Sequence, residues 1–216
     1  MTPPRSVCVF CGSRPGHDPA HAVAAADTGA MIARAGWRLV YGAGDVGLMG
    51  EVARAATDAG GRTLGVIPIH LIAREQGRRD LTQFVVTEDM HERKKVMFMN
   101  SDAVVVLPGG AGSLDEFFEV LTWRQIGLHT KPIFLLDVNG YWQPLARLID
   151  HVIAEGFAEA TLAASFSLVP DVAGFARRTN SQRLFAIVNW SCRRQRNIND
   201  RRRDLNVLFD MDRGRE

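Results

Sequence analysis

Cysteine is scarce in this chain of 216 residues: Cys8, Cys11 and Cys192 are the whole complement. Three cysteines build neither a disulfide framework nor an all-cysteine zinc site. Long apolar runs are also missing. Clean ones, such as Ala103 to Leu107, fall far short of the roughly 20 residues that span a bilayer. The opening Met1-Thr2-Pro3-Pro4-Arg5 has no apolar segment of about 7–15 residues of the secretory kind. Charge of one sign is not in excess, because 26 basic and 24 acidic residues leave a formal net charge of +2. A uniformly basic nucleic-acid binder is thereby disfavoured. The histidines show no ligand spacing with acids or cysteines, so neither a metal nor a cofactor is expected. Hydrophobic residues make up 46% and charged residues 23%, enough to bury a core. The expectation is a soluble, cytoplasmic α/β protein with no membrane partner.

The near-neutral total conceals an asymmetry. Residues 177–216 hold 11 arginines, no lysine and 5 acids, whereas residues 1–176 carry a net charge of −4. This predicts a nucleotide-binding α/β domain over 1–176 and an arginine-rich appendage over 177–216, either an extension or a frameshifted terminus. Its arginines invite a nucleic-acid reading, but the acids dilute them and few aromatics interleave, so a solvated tail is favoured.

Within 1–176, short β-rich runs fall at 6–10, 37–41, 63–67, 83–86, 103–107, 133–136 and 166–169. Several are continuously apolar, as strands buried on both faces should be. Helical patterns lie between them at 22–35, 48–59, 90–97, 114–126 and 141–155. In the fourth, Leu114, Phe117, Phe118 and Leu121 form an i, i+3, i+4, i+7 stripe. The alternation predicts a doubly wound, mostly parallel sheet of about seven strands flanked by helices, Rossmann-like in class. Ligands in such sheets bind at the carboxyl ends of strands, so the glycine turns there matter most.

Three such turns stand out. Cys8-Val9-Phe10-Cys11-Gly12-Ser13-Arg14 has C-x-x-C spacing, but the pair sits in and just after a strand rather than opening a helix, which weakens a redox reading. Gly12 and Ser13 are better placed to contact phosphate or ribose. Gly42-Ala43-Gly44-Asp45-Val46-Gly47 matches G-x-G-x-x-G, yet no carboxylate appears near Val66–His70, where a ribose ligand would be needed for NAD. A close approach at Gly44 to a smaller nucleotide, or a plain tight turn, remains. The third turn, Pro108-Gly109-Gly110-Ala111-Gly112-Ser113-Leu114-Asp115-Glu116, carries a buried strand straight into a helix. Free N–H groups at that helix start form an anion site. Glu116 has two readings: partner of Ser113 in a capping box, or a carboxylate aimed at a sugar attached to the bound phosphate. In Met90-His91-Glu92-Arg93-Lys94-Lys95-Val96-Met97, Arg93 shares an otherwise apolar face with Met90 and Met97, so it needs an anionic partner, ligand or internal.

These residues resemble the LONELY GUY family of cytokinin riboside 5′-monophosphate phosphoribohydrolases, often mislabelled lysine decarboxylases. The stretch 108–116 is similar to the family's P-G-G-x-G-T-x-x-E signature. The resemblance extends through Cys11-Gly12-Ser13, Tyr41 to Gly50, Met90 to Lys94, and Leu121-Thr122-Trp123 to Lys131-Pro132, covering roughly residues 5–175. Ala43 replaces the family's usual glycine, Ser113 its threonine, Asp115 its common glutamate, and Ala111 the aromatic of plant members.

The resemblance implies hydrolysis of the N-glycosidic bond of a purine nucleoside 5′-monophosphate to free base and ribose 5-phosphate. Carried over by position, it implies Arg93 and Glu116 as catalytic residues, and Glu75, Lys94, Gly109 to Asp115 (with Gly110, Ala111, Gly112, Ser113 and Leu114 between) and Thr122 as substrate contacts. It also implies a homodimer, to which Leu121, Trp123 and Ile126 could contribute. Two alternatives stay open: a nucleotide or molybdenum-cofactor carrier of the same fold, and, through Gly42 to Gly47, a nicotinamide oxidoreductase.

Overall fold

The computed structural model describes residues 5–72 and 81–180 of the chain. Among them, seven strands form one sheet: β1 (Ser6–Phe10), β2 (Arg38–Tyr41), β3 (Arg62–Pro68), β4 (Gln83–Thr87), β5 (Ala103–Val106), β6 (Ile133–Leu136) and β7 (Ser167–Val169). The helices are α1 (Ala20–Arg34), α2 (Gly47–Asp58), α3 (Met90–Met99), α4 (Ala111–Gln125), α5 (Gln143–Ala154) and α6 (Val172–Asn180). Short 3₁₀ turns occupy Ile69–Leu71, Val138–Gly140 and Ala160–Ser165.

The strand order is β4-β3-β2-β1-β5-β6-β7 and every pairing is parallel. The chain steps outward from β1 to β4, returns to lay β5 on the other side of β1, and steps outward again to β7. That reversal opens a crevice at the carboxyl ends of β1 and β5, the place where open α/β sheets bind ligands.

Side chains alternate along each strand and so feed two apolar layers. Val7, Val9 and Cys11 join Ile32, Val52 and Phe175 of α1, α2 and α6. Cys8 and Phe10 join Met97, Phe117 and Ile149 of α3, α4 and α5. β1, β5 and β6 are buried throughout, which is why they read as unbroken apolar runs, whereas the edge strand β4 is partly exposed. α1 stops where Gly36 turns left-handed at φ +70, and the Gly36 and Trp37 N–H groups close back on Ala33 and Ile32 carbonyls.

α6 crosses the composition boundary at 176–177, and Phe175 and Thr179 on it are both fully buried. The arginine-rich positions beyond 180, Cys192 and Glu75 lie outside the described residues. Among those described, no helix is long and apolar enough to cross a membrane.

Candidate active site

Backbone contacts stitch the three glycine turns together. The Gly12 N–H donates to the Pro108 carbonyl at 3.0 Å, and the Gly12 carbonyl accepts from the Leu48 N–H at 3.0 Å. A Cβ on Gly12 would stand 3.0 Å from the Arg14 carbonyl oxygen and 3.3 Å from the Gly109 Cα, tight contacts with backbone, so glycine eases the approach of the first and third turns. In the second turn Ala43 sits at φ +59, a left-handed conformation that glycine adopts at lower cost.

α4 starts at Ala111, with Gly110 as N-cap and no capping side chain. Its first helical bond runs from the Leu114 N–H to the Gly110 carbonyl at 3.1 Å. The N–H groups of Gly110, Ala111, Gly112 and Ser113 therefore precede the ladder, at the positive end of the helix dipole. This corrects the capping-box reading. Ser113 is buried inside the first turn rather than standing at the N-cap, so it cannot cap with Glu116. The glycines read as loop because they disfavour helix, but docking of the turn on the sheet overrides that weak local preference.

α3 supplies Arg93. The Asp89 side chain caps this helix by accepting from the Glu92 N–H at 2.8 Å. One turn on, the Arg93 side chain reaches over the ends of β3 and β2. Its Nε donates to the Val66 carbonyl at 3.1 Å and its Nη2 to the Gly42 carbonyl at 2.6 Å. Only 4% of Arg93 is exposed, a burial that such charge-assisted bonds make tolerable. Glu116 lies half-buried on α4, just past the N–H groups. Its charge reaches β1: burial pushes the Cys8 thiol well up, and Glu116 pushes it further.

Arg93, Glu116 and the α4 N-terminus line one cavity of about 680 Å³ at the sheet crevice. The volume falls within the range of small-molecule sites, about 300–1,000 Å³. Of the residues singled out from the sequence, it gathers Gly12, Ser13, Arg93, Gly109, Gly110, Ala111, Gly112, Ser113 and Glu116. The other described ones stand apart from the lining. Lys94 is buried in an ion pair with Asp115 at 2.9 Å and Glu119 at 3.3 Å. Burial alone would lower its ammonium pKa, but the two carboxylates outweigh that and hold it above its ordinary range. Leu114 packs against the α3–α5 layer, Thr122 is exposed further along α4, and Gly44 is buried in the second turn.

Asp18, His21 and Tyr141 also line the cavity, and the sequence reading did not place them there. Hydrogen bonds from the Asn139 side chain and the Ala20 N–H hold Asp18 below the usual carboxylate range. The available signal was the Asn139-Gly140 turn after β6, since the strand-end rule applies to every strand. Cys8 and Cys11 face opposite apolar layers, so their spacing does not make a dithiol pair. Among the described residues no His, Cys, Asp and Glu side chains cluster as a metal site would require.

Residues 49–178 match the protein family described as "Possible lysine decarboxylase". The chain is 45% identical over 172 residues to the cytokinin riboside 5′-monophosphate phosphoribohydrolase of Rhodococcoides fascians, covering 79% of this chain and 87% of that protein. It is 43% identical over 157 residues to an enzyme of the same name from Arabidopsis thaliana, covering 73% of each. Among solved structures, the molybdenum cofactor carrier protein of Chlamydomonas reinhardtii is similar in fold at a TM-score of 0.63 and 24% identity, over 85% of this chain and 99% of that one. The molybdenum cofactor binding protein of Rippkaea orientalis is similar at a TM-score of 0.64 and 21% identity, over 84% of this chain and 98% of that one.

Proposed function

We infer the activity from membership: this chain belongs to the same family as the cytokinin riboside 5′-monophosphate phosphoribohydrolases. It hydrolyses the N-glycosidic bond of purine nucleoside 5′-monophosphates, AMP or its cytokinin counterparts, releasing free base and ribose 5-phosphate. The observation that carries the site assignment is that Arg93, Glu116 and the N–H groups opening α4 share one cavity.

The 5′-phosphate binds at Gly110 to Ser113, where backbone N–H groups and the helix dipole favour an anion. Breaking the glycosidic bond builds positive charge on the ribose in an oxocarbenium-like state. The Glu116 carboxylate stabilises that charge and orients the attacking water. Water delivers its hydroxyl to the anomeric carbon, and its proton balances the departing base. Arg93, anchored on two strand-end carbonyls, clamps the phosphate or orients Glu116.

Glu116→Gln tests the assignment. Purified variant and parent are incubated with AMP and with isopentenyladenine riboside 5′-monophosphate, and base and ribose 5-phosphate are quantified. Base release is expected to fall at least a hundredfold while nucleotide binding persists. Near-parental turnover would remove Glu116 from the mechanism. Intact nucleotide recovered bound, with no release by the parent, would favour the carrier reading, which rests on fold similarity alone.

A cytoplasmic homodimer is part of the same proposal. The scarcity of cysteine, three in 216 residues, suits a reducing compartment. Phe118, Ile126 and Leu128 leave apolar surface exposed on and after α4, whereas Leu121 belongs to the core. The domain assigned to 1–176 is proposed to carry the activity without the arginine-rich remainder.

A further inference from the structure

The cavity has two flanks. Arg93 comes from the β2–β3 side, and Tyr141 comes from the turn that follows β6. Several contacts hold this second flank. Asn139 and Gly140 take successive left-handed conformations, φ +52 and +76, which reverse the chain sharply after β6. The Asp137 carboxylate accepts from the Trp142 N–H at 2.7 Å and closes the turn. The Asn139 side chain donates to Asp18 at 2.8 Å, latching the turn to the loop after β1. The Tyr141 ring meets His21 edge-on, with centroids 5.3 Å apart. Its hydroxyl donates to the Gly109 carbonyl at 2.7 Å.

That last bond lands on the segment that opens α4. A peptide unit is planar and trans, so holding the Gly109 carbonyl also holds the direction of the Gly110 N–H. Gly110 is the N-cap, and no side chain caps this helix. Gly109, Gly110 and Gly112 lack side chains of their own to order the turn, and a Cβ on Gly110 or Gly112 would meet nothing within 4 Å. Order must come from a neighbour.

We propose that Tyr141 is a positioning residue for phosphate binding: its hydroxyl pre-organises the Gly109–Gly110 peptide so that the α4 N–H groups converge on the 5′-phosphate. The inference rests on the phosphate site proposed above and adds the turn after β6 to it. Tyr141 acts on phosphate affinity through the peptide it holds, so its effect tracks the phosphate group and not the base.

Tyr141→Phe in the full chain keeps the ring and removes the hydroxyl. Binding of ribose 5-phosphate, AMP and adenosine is read by calorimetry, and kcat and KM for AMP by base release. The expected result is a roughly 3- to 10-fold weaker affinity for ribose 5-phosphate and AMP, the effect of one lost hydrogen bond. Adenosine affinity and kcat should change less than about twofold, and melting temperature should hold because Tyr141 is partly exposed. Unchanged ribose 5-phosphate affinity would overturn the proposal, as would equal losses for adenosine and AMP. A parent that binds AMP without cleaving it would defeat the hydrolase reading and leave this one standing.

Discussion

Gly42→Ala isolates Arg93 without touching it. Gly42 ends its strand in an ordinary backbone conformation, so alanine is permitted there as far as φ is concerned. Space is the obstacle. A Cβ at this position would overlap Arg93 Nη2, stand 3.0 Å from its Cζ and 3.2 Å from the Met49 sulfur. The guanidinium must then leave the Gly42 carbonyl, now 2.6 Å away, and the Val66 carbonyl at 3.1 Å. Each bond to a charged group is worth about 1.5–3 kcal/mol, but the displaced side chain can regain part of this from water at the cavity. Movement of a side-chain end is also cheaper than movement of backbone. The net stability loss is therefore about 1–3 kcal/mol, the usual cost of overpacking. Catalysis should suffer as well. Arg93 clamps the phosphate or orients Glu116, and misplacing a positioning group of this kind costs about 2.7 kcal/mol, or roughly 10² in kcat. The assay is base release from AMP alongside urea unfolding. A folded Gly42→Ala protein with activity within about threefold of the parent would refute the role given to Arg93.

Two more perturbations test the frame around the site. Lys94→Met leaves the mostly buried Glu119 carboxylate without its cation and should cost about 3–5 kcal/mol, while Asp115→Asn, on a side chain 60% exposed, should cost under about 1 kcal/mol; equal costs in urea unfolding would show that the pair does not tie α3 to α4 as described. His129 is buried with its Nε2 2.8 Å from the Val120 carbonyl and its Nδ1 accepting from the Lys131 N–H, and burial lowers its pKa to about 4. The unfolded chain, with a pKa near 6.5, takes up this proton first as pH falls, so up to about 3 kcal/mol of stability is present above that value and lost progressively down to about pH 4. Unfolding of His129→Asn across this window should lack that slope, and an unaltered pH profile would refute the assignment.

The layered fold was legible because burial on both faces leaves a mark that needs no partner to read. Ala103 to Leu107 is apolar without interruption, and only a strand covered by helices on both sides tolerates that. The α4 stripe was equally plain, since helical spacing puts Phe117 and Leu121 on one buried face. Its starting residue was not plain. Glycine disfavours helix and alanine favours it, so Gly110-Ala111-Gly112-Ser113 sends mixed local signals, and packing on the sheet decided that the helix opens at Ala111.

Chain order alone sets which residue types stand at which strand ends: a glycine run after β5, a glycine and serine after β1, an arginine on an apolar stripe. Chain order and periodicity are local properties, and they suffice for that much. Which of those residues meet was a matter of tertiary structure. Lys94 and Arg93 are neighbours in the chain, yet about 100° of helical rotation sends one to Asp115 and Glu119 and the other across the sheet to Val66 and Gly42. Tyr141 reads as the first residue of a helix until the parallel order β1-β5-β6 brings its turn beside Gly109 and His21. Contacts between residues 32 and 120 positions apart depend on strand order, and strand order is set by the packing of the whole sheet rather than by any segment within it.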